Sequence, residues 1–275
     1  MATSIVAFQG ERGSFSEEAA YKLLGRGIRV LPCETFTATF ESVTRGSANY
    51  CLVPIENTLA GSIYENFDLL LANNLHIVGE VRLRIVHNLI ALPGTKRKDV
   101  RRVYSHPVAL AQCGGFFAKN PKVERITFYD TAGSVKMLAE RRPPGAAAIA
   151  SRIAAEVYHA RILATHLEDH RENYTRFLLL SKTARVSPQA NKTSIVFSTR
   201  NLPGGLFKCL SVFALRDIDL TKLESRPLRG RPWEYFFYVD FVGSVREDHC
   251  KKALAHLSEV TNFQRVLGCY KSAKK

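Results

Sequence analysis

No stretch of this 275-residue chain is apolar for the length a membrane-crossing helix needs, so no membrane partner is expected. No basic leader with a small-residue cleavage site precedes the first apolar run, Ile5-Val6-Ala7-Phe8, so export is not expected and a cytoplasmic location is. The six cysteines (Cys33, Cys51, Cys113, Cys209, Cys250 and Cys269) form no C-x-x-C pair and show no ligand-like spacing to histidine. Disulfides and metal ligands are therefore not expected, and a reducing compartment fits. A complete dinucleotide fingerprint is missing as well. Gly10-x-x-Gly13 is only part of one, and the nearest acidic candidate, Glu34, follows Pro32-Cys33 where a strand end would be needed. That excludes a nucleotide cofactor. No nucleic-acid-binding motif is recognisable, and no basic arm is present.

What is present is a globular composition, 46% apolar, long enough for two ordinary domains. The net charge is +14, and half of that excess lies on each side of residue 185, with short clusters at Lys96 to Arg102 and Arg226 to Arg231. Such a diffuse positive field does not specify nucleic acid. It raises the local concentration of a small anionic substrate.

One arrangement recurs along the first 160 residues: a short apolar run, a small polar residue, then a helical pattern. Ile5 to Phe8 leads to Ser14, which has capping-box spacing to Glu17 ahead of a helix over Glu18 to Leu24. Tyr50 to Ile55 leads to Ser62, which has the same spacing to Glu65. Val103-Tyr104 leads to Ser105-His106-Pro107, with proline in the tolerated first turn. Ile126 to Tyr129 leads to Asp130-Thr131-Ala132-Gly133-Ser134, and Ala146 to Ala150 leads to Ser151. Strands alternating with helices predict an α/β domain with mostly parallel pairing. In such sheets the helix starts lie beyond the carboxyl ends of the strands. Helix starts offer unpaired N–H groups and a partial positive charge, so several around one cleft make a site for a carboxylate-rich molecule.

From Lys182 to Thr193 the chain turns polar and loses apolar periodicity, which predicts a linker. After it the order is strand (Ser194 to Ser198), helix (Leu206 to Leu215), strand (Leu220 to Ser225), strand within Glu234 to Val242, helix (Asp248 to Glu259) and strand (Phe263 to Leu267). That order predicts a ferredoxin-like α+β module with helices on one face and an edge strand open to pairing with a second copy.

With these motifs assembled, the chain resembles the prephenate dehydratases followed by an ACT domain, over roughly residues 5 to 270. The resemblance rests on Gly10-x-x-Gly13-Ser14-Phe15-Ser16, Val53-Pro54-Ile55-Glu56-Asn57-Thr58-x-x-Gly61-Ser62 and Ser105-His106-Pro107-x-Ala109-x-x-Gln112-Cys113. It rests further on Asp130 to Ser134, Ala148-Ile149-Ala150-Ser151, Asn173-Tyr174-Thr175-Arg176-Phe177, Pro203 to Leu210 and Thr221 to Pro227. It implies a two-lobed, periplasmic-binding-protein-like catalytic domain (residues 1–182), a linker (183–193) and a regulatory ACT domain (194–275). The second lobe would span roughly residues 80 to 180, and the cleft between the lobes would hold the site.

The implied reaction converts prephenate to phenylpyruvate, CO2 and water without a cofactor. Thr175, Arg176 and Phe177 would be catalytic: Thr175 polarises the departing oxygen, Arg176 holds the side-chain carboxylate and Phe177 shapes the pocket. Gly13, Ser14, Asn57, Thr58, Ser105, His106, Gln112, Thr131 and Ala132 would bind substrate, although a capping or packing role is favoured for His106 and a structural or orienting one for Glu56. Phenylalanine would be the effector, bound by Gly204, Gly205, Leu206, Asp219, Glu224, Ser225, Arg226 and Pro227 at an interface between copies. A homodimer or homotetramer is thereby implied. Asp219 stands where the family often has asparagine, and Gly205 where it often has alanine. Two alternatives stay open: an arogenate dehydratase, and a non-catalytic amino-acid sensor built on the same cleft.

Overall fold

The apolar run Ile5-Val6-Ala7-Phe8 becomes β1 (Ile5–Gln9), with Val6, Ala7 and Phe8 fully buried. The structure, a computed structural model, describes residues 3–199, 201–228, 230 and 233–273; Arg229 and Arg231 of the basic cluster lie outside the described residues. The chain continues through α1 (Phe15–Leu24), β2 (Arg29–Cys33), α2 (Phe36–Thr44), β3 (Tyr50–Asn57), β4 (Gly61–Ser62), α3 (Tyr64–Ala72) and β5 (His76–Arg84). It then enters β6 (Asn88–Ala91), β7 (Arg102–Ser105), α4 (Pro107–Ala111), α5 (Gly114–Lys119), β8 (Glu124–Thr127) and α6 (Thr131–Arg141). β9 (Ala146–Ala150), α7 (Arg152–Val157), β10 (Arg161–Ala164) and β11 (Tyr174–Ser181) follow.

Two sheets organise this part. The first has the order β2-β1-β3-β11-β5, with β4 folded back on β3; the second has the order β10-β6-β9-β7-β8. β1 runs parallel to β2 and β3, and β7 runs parallel to β8 and β9. The chain leaves the first sheet after β5, builds the whole second sheet, and returns as β11. This is the expected two-lobed, periplasmic-binding-protein-like architecture, with one boundary corrected. β5 and β11 belong to the first sheet, so the second lobe is narrower than residues 80 to 180 and runs from β6 to β10.

The alanine-rich β9 explains how the second lobe closes. Side chains alternate across a strand. Ala147 and Ile149 join Val103, Phe116 and Phe117 in one core cluster, while Ala146, Ala148 and Ala150 join Ala132, Val135 and Leu138 in another. A strand covered on both faces must be apolar throughout, and small side chains let helices approach from both sides.

The capping signals mostly hold. Ser14 Oγ accepts from the Glu17 amide at 3.3 Å, Asp130 Oδ1 from the Gly133 amide at 2.7 Å, and Ser151 Oγ from the Ala154 amide at 3.1 Å. The Glu17 carboxylate reaches one residue further back than a regular capping box, accepting from the Gly13 amide at 2.6 Å. Ser62 is a correction. It pairs with Glu56 in the β3–β4 hairpin, and α3 begins only at Tyr64, so the cap position falls on Ile63 and not on Ser62.

The remaining elements are β12 (Lys192–Ser198), α8 (Gly205–Ala214), β13 (Leu220–Pro227), β14 (Tyr235–Val242), α9 (Asp248–Val260) and β15 (Phe263–Tyr270). Their antiparallel sheet has the order β13-β14-β12-β15, the ferredoxin-like arrangement. Lys192 and Thr193, expected in the linker, open β12 and are buried. α8 and α9 cover one face through Ile195, Phe197, Val212, Phe213, Val239, Phe241 and Leu257.

By density of internal contact the chain divides into two units, residues 1–66 with 81–177, and residues 67–80 with 178–275. The division cuts through α3, β5 and β11. Within the second unit, the sheet face away from α8 and α9 meets residues 67–80, which the sequence reading assigned to the catalytic part. Tyr238 donates its hydroxyl to Phe67 O at 2.8 Å, and Arg226 grips the Asp68 carboxylate with two N–H bonds at 3.1 and 2.9 Å. Arg265 donates to Leu70 O, Leu71 O and Asn73 O, satisfying carbonyls that the end of α3 leaves without helical partners. Gly268 passes so close to Ile77 that an added Cβ would sit 2.1 Å from its carbonyl oxygen.

Candidate active site

Thr175 is the second residue of β11, buried at 8% exposure, and its Oγ1 accepts a hydrogen bond from Asn57 Nδ2 at 3.0 Å. Asn57 ends β3. Its Oδ1 accepts from the amides of Leu59 and Ala60 at 2.9 and 2.8 Å, the local turn that asparagine forms readily. The same Nδ2 also donates to Asn173 Oδ1 at 2.8 Å and Tyr174 O at 3.2 Å. An amide with every polar atom engaged cannot swing, so it fixes where the Thr175 oxygen lies.

The chain of contacts continues behind Asn57. Asn173 Nδ2 donates to Gln112 Oε1 at 2.9 Å, and the same oxygen lies 2.9 Å from His87 Nε2. An oxygen can only accept, so His87 carries its proton on Nε2 in this arrangement. Its Nδ1 is buried without a partner, and burial pushes the imidazole pKa down, which keeps it neutral. Glu168 Oε2 holds the His87 amide at 2.9 Å.

Successive residues of a strand face opposite ways. Thr175 and Phe177 therefore share one face of β11, and Arg176 takes the other. The guanidinium of Arg176, 6% exposed, donates to Glu56 Oε1 at 3.2 Å across the strand pair. Glu56 thus holds the Arg176 side chain in place, and the expected triplet lies on two faces of the strand.

The helix starts divide similarly. Gly13 has φ +83, and an added Cβ would come within 2.6 Å of Ala154 Cα, so only glycine lets this loop reach α7. Its carbonyl accepts from Ser151 Oγ. Ser14 caps α1, leaving the first-turn amides of Phe15 and Ser16 for a ligand. Thr131 opens α6, whereas Ala132 is fully buried. Asp130 takes the Gly133 and Ala132 amides, and its carboxyl pKa is raised by burial first, with Glu11 adding to it. His106 caps α4 through Nδ1, which accepts from the Val108 amide at 3.3 Å.

Two expected substrate contacts have their hydroxyls already engaged. Ser105 is fully buried and donates to Ile149 O at 2.6 Å. Thr58 donates to Glu172 O at 2.5 Å and accepts from the Tyr174 amide at 2.9 Å, stitching the β3 turn to the entry of β11. Gln112 is the hub between His87 and Asn173. Asn173 and His87 were not among the expected site residues: Asn173 entered only as the first residue of the motif that ends at Phe177, and His87 carried no signal.

In the C-terminal sheet the expected effector residues separate. Gly204, Gly205 and Leu206 line one cavity of about 210 Å³ with Trp233, Tyr235 and Phe237. Arg226 and Pro227 line another, of about 540 Å³, with Asp68, Phe236 and Tyr238. Alternation along β13 puts Lys222, Glu224 and Arg226 on the side of residues 67–80, and Ser225 and Pro227 on the side of the helices. Asp219 is exposed just before β13, beyond the far end of α8 from Gly204. The structure therefore does not bring all eight residues into one pocket of a single chain.

A family model described as prephenate dehydratase matches residues 6–185. The chain is 48% identical over 277 residues to arogenate dehydratase/prephenate dehydratase 2, chloroplastic, of Arabidopsis thaliana, across 96% of this chain and 72% of that protein. The crystal structure of prephenate dehydratase in complex with L-Phe from Arthrobacter aurescens is 31% identical, covers 97% of this chain and 89% of that one, and superposes with a TM-score of 0.89. A structure described as GqqA, a novel type of quorum-quenching acylase, is 35% identical over 98% of both chains, with a TM-score of 0.91. The expectation of a cytoplasmic location is corrected by the plant relative, which is chloroplastic. The scattered cysteines fit any reducing compartment, so that expectation never singled out the cytoplasm.

Proposed function

The chain belongs to the prephenate dehydratase family, and from that premise we propose that it dehydrates and decarboxylates prephenate to phenylpyruvate under control by phenylalanine. It is a carbon–oxygen lyase of the prephenate/arogenate dehydratase type. The observation that carries the mechanism is the bond from Asn57 Nδ2 to Thr175 Oγ1. Accepting that bond leaves the Thr175 proton to be donated, and a hydroxyl that accepts becomes a better donor.

Prephenate loses its ring carboxylate as CO2 and its ring hydroxyl as hydroxide, with aromaticity gained. The protein's task is to help that oxygen leave as water. Thr175 donates to the departing oxygen. A threonine hydroxyl is too weak an acid to protonate it alone, so the role is orientation and polarisation. Phe177, on the same face of β11, bounds the ring. The free first-turn amides of α1 and the start of α6 at Thr131 hold carboxylate. Arg176, expected to hold the side-chain carboxylate, lies on the opposite face of β11 from Thr175, so here it acts through Glu56, fixing β11 against β3.

Arogenate, in which an amino group replaces the keto group, is the second reading, favoured by the name of the Arabidopsis relative. Steady-state kinetics on both substrates, with and without phenylalanine, decide. Turnover of prephenate to phenylpyruvate with inhibition by phenylalanine is expected. A large preference for arogenate overturns the substrate choice, and turnover of neither overturns the enzyme reading.

For the effector, support comes from α8. Gly204, at φ +74, caps it without any side-chain hydrogen bond, so the helix start retains amides for a carboxylate. Leu202, Phe207 and Trp233 around it are 60%, 75% and 77% exposed, an apolar surface suited to a second copy of this chain. Its partner's β13 would bring Ser225 and Pro227 against Gly204, Gly205 and Leu206, completing a site that one chain leaves open. Arg226 instead ties β13 to residues 67–80, which makes it a transmitter of occupancy, while Glu224 pairs with Lys222 on the same face of β13.

A further inference from the structure

Three donor side chains converge at the turn between β14 and α9, outside the sites described above. Glu247 precedes α9, and His249 and Cys250 lie in its first turn. One atom from each (a carboxylate oxygen, an imidazole nitrogen and a thiol sulfur) lies within 4.8 Å of the other two. Glu247 Oε2 and His249 Nε2 are 3.5 Å apart. A tetrahedral zinc ion with bonds of about 2.0–2.3 Å separates its ligand atoms by roughly 3.3–3.7 Å.

A second observation points to the same spot. Gly243 has φ +128, and a Cβ added there would find these donors as its three nearest atoms: Cys250 Sγ at 2.5 Å, Glu247 Oε2 at 3.7 Å and His249 Nε2 at 3.9 Å. The missing side chain makes the cradle. The other Glu247 oxygen accepts from the Ser244 amide at 2.9 Å, which turns Oε2 inward. A hydrogen bond of that kind commonly orients a metal-ligating carboxylate.

We propose that Glu247, His249 and Cys250 form a zinc-class divalent metal site, with water in the fourth position. One sulfur, one nitrogen and one oxygen suit a borderline-soft ion and not magnesium or calcium. The side chains of Glu247 and His249 are 45% and 50% exposed, so both can close on an ion arriving from solvent. Cys250 supplies the buried anchor. The sequence reading expected no metal because it sought spaced cysteine and histidine pairs, whereas these ligands fall within four residues. Occupancy would lock the end of β14 to the first turn of α9.

Titration of the full chain with Co2+ alone tests the site, because a cobalt–thiolate bond gives a near-ultraviolet charge-transfer band. A band that saturates at one equivalent and is displaced by Zn2+ is expected. His249→Ala and Cys250→Ser should each abolish it and weaken zinc binding by more than about 100-fold, since even indirect ligand partners contribute 10–100-fold. Cys269→Ser should keep it. His249 is exposed, so His249→Ala retains the fold, as far-ultraviolet circular dichroism will show. No band in the wild type, or a band that survives in His249→Ala, overturns the proposal.

Discussion

Thr175→Val is expected to lower kcat by about 10²–10³-fold with little change in KM, the usual consequence of removing one preorganised donor to a developing negative charge. Valine keeps the branched shape in a position only 8% exposed, so the pocket stays filled. Asn57 Nδ2 retains Asn173 Oδ1 and Tyr174 O as acceptors, so the scaffold behind the lost hydroxyl also stays in place. What disappears is a donor needed only as hydroxide departs, which is why the loss falls on kcat. Thr175→Ser should recover most of the rate. Steady-state measurements of phenylpyruvate formation read the effect. A valine variant within about fivefold of wild type would remove Thr175 from the mechanism.

Lys192→Met is expected to destabilise the second unit by about 3–5 kcal/mol, the typical penalty when one member of a buried ion pair is removed. Lys192 Nζ lies 3.1 Å from Glu80 Oε2 and 3.8 Å from Asp240 Oδ2, and the side chains are 5%, 0% and 10% exposed. Methionine fills the same volume but leaves two carboxylates in the interior without their ammonium. The double variant Lys192→Met/Glu80→Leu should recover only part of the loss, because it removes the burden of Glu80 but leaves Asp240 in the interior without its ammonium. Urea denaturation of the three proteins gives the comparison. A single-variant cost below about 1 kcal/mol would mean that the pair is solvated in solution.

These two sites show what a sequence can reveal. Ser14, Asp130 and Ser151 were legible because a cap bonds three residues ahead, and local chemistry suffices to place it. Ser62 carried the same spacing and was misread, because the competing partner, Glu56, pairs with it across a hairpin. Lys192 read as linker because a polar residue is normally solvated. It is buried because Glu80, 112 residues earlier, and Asp240 meet its charge. The two-faced disposition of Thr175 and Arg176 follows from strand alternation once β11 is known to begin at Tyr174. Asn173 and the claimed hydroxyls of Thr58 and Ser105 depend on contacts 114 and 44 residues away, which no local pattern records. The reaction itself was legible only through the order of the family motifs. The residues alone reached as far as an anion-binding cleft.

The return of β11 to the first sheet also sets an order of assembly during synthesis. β6 to β10 form a continuous stretch, so the second sheet has all its strands as soon as Ala164 has been made. The first sheet has β1, β2 and β3 much earlier, yet β11, which lies between β3 and β5, comes only with Tyr174 to Ser181. Until then β3 presents an unpaired edge to the ribosome surface and to other nascent chains, the kind of exposure chaperones act on. Thr175 arrives with that last strand, so the hydroxyl proposed to polarise the leaving oxygen is put in place by the same event that closes the edge.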